Sequence, residues 1–274
     1  GAAARIDAEA LLIEKPAYEL LLGAASFLGA DIKRFERKAA DGFRLDAAQV
    51  EAMLTERTRL IVITNLHNPS SALAGEDDLR AIARLAGAVG ARVLVDEVYL
   101  DAAVPPRRSA IHLGPEFVCT NSLTKVYGLS GLRCGRILAE RELAESMWRL
   151  NDLFGVNQAH PVERLACIAF DHIDEVIGDN PAMLAANRSR WNKFVQSRDD
   201  LDCLPAEHGI TAFPLWTGCD TERLNDHLHD RYDTGVVPGR WFEMPEHFRV
   251  GFGMNTPEFE AGLERLGAGL DDLK

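Results

Sequence analysis

Between residues 59 and 140, short β-branched apolar runs alternate with helical patterns, a rhythm that restricts the chain to a parallel sheet covered by helices. Residues 59–64, 91–96 and 117–120 supply three runs of strand length. Between the first two, Leu79, Ile82, Ala83, Ala86 and Val89 recur at helical spacing behind an acidic first turn of Glu76, Asp77 and Asp78, whose charges suit a helix N-terminus. Gly87 and Gly90 close this crossover helix, Gly90 as its left-handed terminator. Ala10-Leu11-Leu12-Ile13-Glu14 reads as a further buried strand, followed by a helix through Leu20, Leu21, Ala24, Ala25 and Leu28 that ends at Gly29. The rhythm therefore begins almost at residue 1.

Beyond residue 140 the pattern turns helical to about residue 198, with residues 180–198 spaced as one connecting helix. Strand-like pieces at 210–216 and 247–252 then flank a helix over 222–232. The expected architecture is α/β: a three-layer α/β/α domain with a mostly parallel sheet over residues 1–179, and a smaller C-terminal α+β domain over 180–274 that includes the connecting helix. With 274 residues and 47% hydrophobic content, the chain can bury cores of both sizes. A net charge of -12 argues against sequence-independent binding of nucleic acid, which needs a surplus of lysine and arginine. No apolar stretch reaches membrane-spanning length, and Gly1-Ala2-Ala3-Ala4-Arg5 lacks the form of a secretory signal, so a cytoplasmic protein is expected. Cys119, Cys134, Cys167, Cys203 and Cys219 are odd in number and include no C-x-x-C pair, which points to reduced, buried thiols and no metal centre.

In an open parallel sheet, ligands bind beyond the carboxyl ends of the strands. Those ends carry Asn65-Leu66-His67-Asn68-Pro69-Ser70, Asp96-Glu97-Val98-Tyr99 and Ser122-Leu123-Thr124-Lys125. A poorly solvated lysine amine can condense with an aldehyde as a Schiff base and later move a proton from a substrate α-carbon. An aspartate against a pyridine nitrogen favours the protonated ring, the better electron sink. Tyr99 and Asn68 can bond a phenolic oxygen. Ser122 and the Arg133 guanidinium suit a phosphate, with Gly128, Gly131 and Gly135 allowing close backbone approach. The cofactor that needs this set is pyridoxal 5'-phosphate, with Lys125 catalytic. Singly, each residue has an ordinary reading: a lysine after a strand is usually solvated, Asn68-Pro69 starts a turn, Arg133 serves a surface ion pair, and His67 packs. Their order along three strand ends is what points to a site.

Asn68-Pro69-Ser70, Asp96-Glu97-Val98-Tyr99 and the segment from Ser122 through Lys125 to Arg133 resemble the class I/II aminotransferases, the fold-type I group of pyridoxal-phosphate enzymes. The resemblance spans nearly the whole chain. It implies that Asp96 faces the ring nitrogen, Tyr99 the phenolic oxygen, and Ser122 and Arg133 the phosphate. Glu14-Lys15-Pro16-Ala17-Tyr18 is similar to the family segment whose aromatic residue covers the ring, which makes Tyr18 the stacking residue. Residues 235–239 followed by Phe248-Arg249-Val250-Gly251-Phe252 resemble the stretch whose arginine clamps a substrate carboxylate, assigning substrate binding to Arg249 with Asn68. Amino-acid and 2-oxo-acid substrates and a homodimer are also implied.

Two departures from the family pattern matter. Ser71 occupies the place of the usual glycine after Asn-Pro-Ser, which is expected to alter the turn without removing Asn68. The family's N-terminal arm and phosphate-cradling loop have no counterpart ahead of Ala10, so the chain is expected to be a fragment or to lack half of a phosphate site. Transamination is the leading expectation. A lyase or decarboxylase on the same scaffold, and a non-catalytic cofactor-binding module such as a regulator's effector domain, are the alternatives.

Overall fold

The computed structural model describes residues 10–218 and 220–274; the expected start of the rhythm ahead of Ala10, and Cys219, lie outside them. The first elements are β1 (Ala10–Lys15), α1 (Glu19–Phe27), β2 (Asp31–Glu36), α2 (Ala47–Met53), β3 (Thr58–Thr64), α3 (Glu76–Ala88), β4 (Arg92–Asp96), β5 (Phe117–Ser122) and β6 (Gly135–Leu138). Their strands form one sheet in the order β2-β1-β3-β4-β5-β6, parallel throughout except where β6 runs against β5. The period of two sorts side chains between the faces. Ile61, Ile63, Val93 and Val95 meet Leu79, Ile82 and Ala86 of α3 on one side, and Val62 joins Ile13 and Ala25 of α1 on the other. The result is the expected three-layer α/β/α arrangement.

Both edge strands escaped the sequence reading for a physical reason. β2 is Asp-Ile-Lys-Arg-Phe-Glu, of which only Phe35 is buried, and β6 contributes Gly135 and Arg136 to a mostly exposed edge. Charged residues on an edge discourage pairing with another chain, and they also erase the apolar run that marks a strand.

The chain continues through α4 (Arg141–Phe154), α5 (His160–Asp171), α6 (Ile173–Ile177) and α7 (Asn180–Gln196), the last matching the anticipated connecting helix. β7 (Leu201–Asp202), β8 (Thr211–Ala212), β9 (Leu215–Trp216), α8 (Thr221–Tyr232), β10 (Val237–Pro238), β11 (Phe248–Gly251) and α9 (Thr256–Asp272) complete it. An antiparallel sheet runs β10-β11-β8, and β7 pairs with β9. The single strand expected over 210–216 is split around Pro214, which has no N–H to give a ladder.

Trp191, Phe248, Phe252, Phe259 and Leu266 anchor a core that also takes in Leu123, Val126 and Tyr127 from the turn after β5. That turn is thereby pinned to the C-terminal helices. Cys119 is buried and Cys134 and Cys203 partly so, but Cys167 on α5 is exposed, which corrects the expectation of uniformly buried thiols. Among the described residues no His, Cys, Asp and Glu group could hold a metal, and no helix is long and apolar enough to cross a membrane.

Candidate active site

β3, β4 and β5 end side by side, with Thr64 in register with Asp96 and Asp96 with Thr120. Beyond them lies a cavity of about 290 Å³. Tyr18, Asn68, Asp96, Tyr99, Ser122, Lys125 and Arg249 line it, joined by Val98, Thr120 and Asn121, which the sequence reading did not select as site residues. Larger clefts of about 640 and 700 Å³ contain none of those seven residues.

Lys125 is placed by its neighbours. Leu123, Val126 and Tyr127 are buried in the C-terminal core, so the intervening lysine is left on the cavity side. Gly128, at φ +69°, closes the turn in a left-handed conformation, and its N–H donates to the Lys125 carbonyl at 3.2 Å. Lys125 itself is exposed, against the expectation of a poorly solvated amine, because the buried positions around it are taken by apolar side chains.

Asp96 ends β4 and accepts bonds at Oδ1 from the Val98 N–H (3.1 Å) and the Thr120 hydroxyl (3.4 Å). Burial pushes its carboxyl above the ordinary range, and only those two hydrogen bonds act the other way. A half-buried carboxylate with no cation beside it is the complement of a protonated ring nitrogen, so the donor set fits pyridoxal phosphate. Burial likewise raises the Tyr99 hydroxyl, which Arg249 only partly offsets, so Tyr99 stays a phenol able to donate. Ser122 Oγ lies 2.6 Å from Thr124 Oγ1, and the Ser122 N–H donates to Asn121 Oδ1 at 2.6 Å.

Arg133 is the one sequence-selected residue that the cavity does not include. It follows a 3₁₀ turn (Ser130–Leu132) in a left-handed conformation, φ +48°, and its Nη1 donates back to the Ser130 carbonyl at 3.2 Å. Spacing brought it near Ser122 in the chain, but the direction of its side chain follows from the turn. At the opposite wall, Arg249 Nη1 donates to Asn68 Oδ1 at 2.8 Å and its guanidinium lies 5.0 Å from the Phe242 ring centroid.

Behind the cavity sits a buried polar group that the sequence reading missed. Glu14 Oε2 and Arg37 Nη1 are 2.9 Å apart, both side chains fully buried. Glu14 Oε1 accepts the Thr64 N–H at 2.7 Å and its hydroxyl at 2.6 Å, while Arg37 Nε donates to the Phe43 carbonyl at 2.6 Å. Burial pushes the carboxyl up and the guanidinium down, each against the attraction of its partner. His67, fully buried, spans from the Pro16 carbonyl (Nε2, 3.1 Å) to Ser70 Oγ (Nδ1, 2.6 Å). A carbonyl can only accept, so Nε2 carries the proton in this network.

Burial, and then Arg37, hold the His67 imidazole well below its ordinary value of 6.5. A base depressed in the folded state stabilises the fold above its unfolded value and loses that contribution as pH falls through the folded one. Stability is therefore expected to fall below about pH 6.5, by up to about 1.4 kcal/mol per pH unit for this one proton. Denaturant midpoints for the wild type and His67→Gln at several pH values check this, since His208 and His247, also depressed by burial, and the raised Glu14, Asp96 and Glu97 are common to both. Parallel pH curves for the two proteins would refute it.

A parallel sheet under helices, with a lysine, a carboxylate and a phenol gathered at its strand ends, defines a pyridoxal-phosphate enzyme of fold type I. The chain belongs to the aminotransferase class I and II family, which it matches over residues 2–266. It is similar to the capreomycidine synthase of Streptomyces vinaceus, 30% identical over 260 residues that make up 93% of this chain and 67% of that protein. Its fold superposes with TM-score 0.92 on a PLP-dependent aminotransferase from Streptococcus suis, at 23% identity, covering 97% of this chain and 72% of that one. The PLP-dependent cyclase OrfR superposes with TM-score 0.87 at 26% identity, again covering 97% and 72%.

Proposed function

We propose that this chain is a transaminase that moves an amino group between an amino acid and a 2-oxo acid, with Lys125 as the catalytic amine. Pyridoxal phosphate, when bound, supplies an aldehyde for Schiff-base exchange and a ring that withdraws electrons from the substrate's α-carbon. Lys125 Nζ would supply the anchoring amine and would accept and return the substrate's α-proton. Asp96 would hold the proton at the ring nitrogen, Tyr99 would donate its O–H to the phenolic oxygen, and Tyr18 at the start of α1 would cover the ring. Ser122 would bind the phosphate, and the Arg133 guanidinium would join it. Arg249 takes the substrate carboxylate with its guanidinium fork, and Asn68 orients it.

The observation that carries the reading is that Lys125, Asp96 and Arg249, from three separated segments, line one cavity. A second reading is favoured by two of the matched proteins, which bear the names synthase and cyclase: elimination, decarboxylation or cyclisation on the same residues. The test is an absorbance spectrum of the purified chain with added pyridoxal phosphate, repeated over a panel of amino acids, with products analysed after adding a 2-oxo acid. Transamination predicts a spectral shift with one or more amino acids and formation of a new amino acid. Release of ammonia or carbon dioxide without one selects the second reading, and a spectrum that no amino acid alters rejects both.

The proposal includes the division into residues 1–179 and 180–274 and a homodimer. The latter is supported by α4, which has no buried residue and exposes Trp148, Leu153 and Phe154, an apolar surface of the kind that partners cover.

A further inference from the structure

The Asn68–Arg249 contact joins residues 181 positions apart, and two sets of buried bonds converge on it. From the sheet side, the Thr64 hydroxyl donates to Glu14 Oε1 and accepts the Asn68 N–H at 2.9 Å. A carboxylate can only accept, so this direction is forced and leaves the hydroxyl's lone pairs for Asn68. Glu14 is in turn held by Arg37. A buried ion pair adds little stability over apolar residues of the same volume, so its effect here is better described as a fixed point from which Thr64 hangs.

From the C-terminal side, Ser71 Oγ donates to the Thr211 carbonyl at 2.8 Å and accepts the Thr211 N–H at 3.3 Å, while Thr211 Oγ1 donates to the Pro69 carbonyl at 3.0 Å. Thr211 lies on β8 in register with Gly251 of β11, the strand that carries Arg249. Ser71 adopts φ +61°, a conformation in which any residue but glycine is strained, so its hydroxyl supplies bonds that the unstrained residue could not. Room is made by Gly209, where a Cβ would come within 2.3 Å of Ser71 Oγ.

We propose that Thr64 and Ser71 are positioning residues for Arg249: between them they fix the Asn68 carboxamide against the guanidinium, leaving the rest of the fork free for a substrate carboxylate. This rests on the assignment of Arg249 under the proposed function. The test is calorimetric titration of succinate, as a carboxylate probe, into the full chain with and without pyridoxal phosphate, together with thermal midpoints. Arg249→Leu abolishes binding. Thr64→Val and Ser71→Gly each weaken it roughly three- to tenfold, the scale of one or two lost hydrogen bonds. Thr64→Ser returns it to within about twofold of wild type. Ser71→Gly keeps its midpoint within about 4 °C, because relief of strain offsets the lost bonds. A purely structural role would move the midpoint and leave affinity alone.

Wild-type affinity in Ser71→Gly and in folded Thr64→Val, beside a defective Arg249→Leu, overturns the inference and spares the assignment of Arg249. Wild-type affinity in Arg249→Leu, or no succinate binding by the wild type, overturns both. Should Thr64→Val fail to fold, Ser71→Gly alone decides.

Discussion

Lys125→Ala is expected to fold normally and to lose transamination by at least roughly 10²- to 10⁴-fold, the contribution of a positioned proton-transfer group alone. The lysine is exposed, and its buried neighbours Leu123, Val126 and Tyr127 hold the turn without it. Surface substitutions of that kind change stability by no more than about 0.5 kcal/mol. The variant should therefore melt with the wild type, fail to retain pyridoxal phosphate through gel filtration, and show none of the bound cofactor's absorbance. Lys125→Arg should fail equally, since a guanidinium cannot give up its proton. Wild-type turnover by Lys125→Ala would end the proposed function, whatever the fold.

Glu14→Leu is expected to cost about 3–5 kcal/mol, because it strands the Arg37 charge in a fully buried site. Arg37→Met should do similar damage by leaving Glu14 with only its Thr64 bonds. The double replacement should recover most of the loss, since two apolar side chains of similar volume remove both desolvation costs together. Urea unfolding of the four proteins measures the coupling directly as a double-mutant cycle. Single variants within about 1 kcal/mol of the wild type would mean that the pair is solvated rather than enclosed. The buried, orphaned Nη2 of Arg37 points the same way as the expected rescue: this ion pair is costly to keep.

The central strands were legible because a strand covered on both faces needs an apolar run at its centre, as β3 has at 60–63 and β4 at 93–95. The outer strands were not, because edge position and charge remove that signal from β2 and β6. Lys125, Asp96 and Tyr99 could be picked out because strand ends bring ligands and side chains together by topology alone. Arg133 could be placed near Ser122 in the chain but not in space, since spacing does not fix a side chain's direction and here its Nη1 bonds the Ser130 carbonyl. Glu14, Arg37 and Thr64 carried no local mark: Glu14 sits at the end of an apolar strand and Arg37 just past a charged one, and only tertiary packing brings them within bonding distance. Ser71 was visible as a departure from a glycine, but the bonds that compensate it lie 140 residues away.

The wall that holds Arg249 closes across a very long stretch of polypeptide, and closure entropy makes such contacts late to form. During synthesis β1 to β5 emerge well before β11 exists, so the carboxylate at 96 can take its place early, whereas the amine at 125, whose turn packs in one core with Trp191 and Phe248, waits for the same late residues as the carboxylate clamp. The sheet can thus form ahead of its ligand site, and the groups that would hold the aldehyde and the substrate are brought into position together.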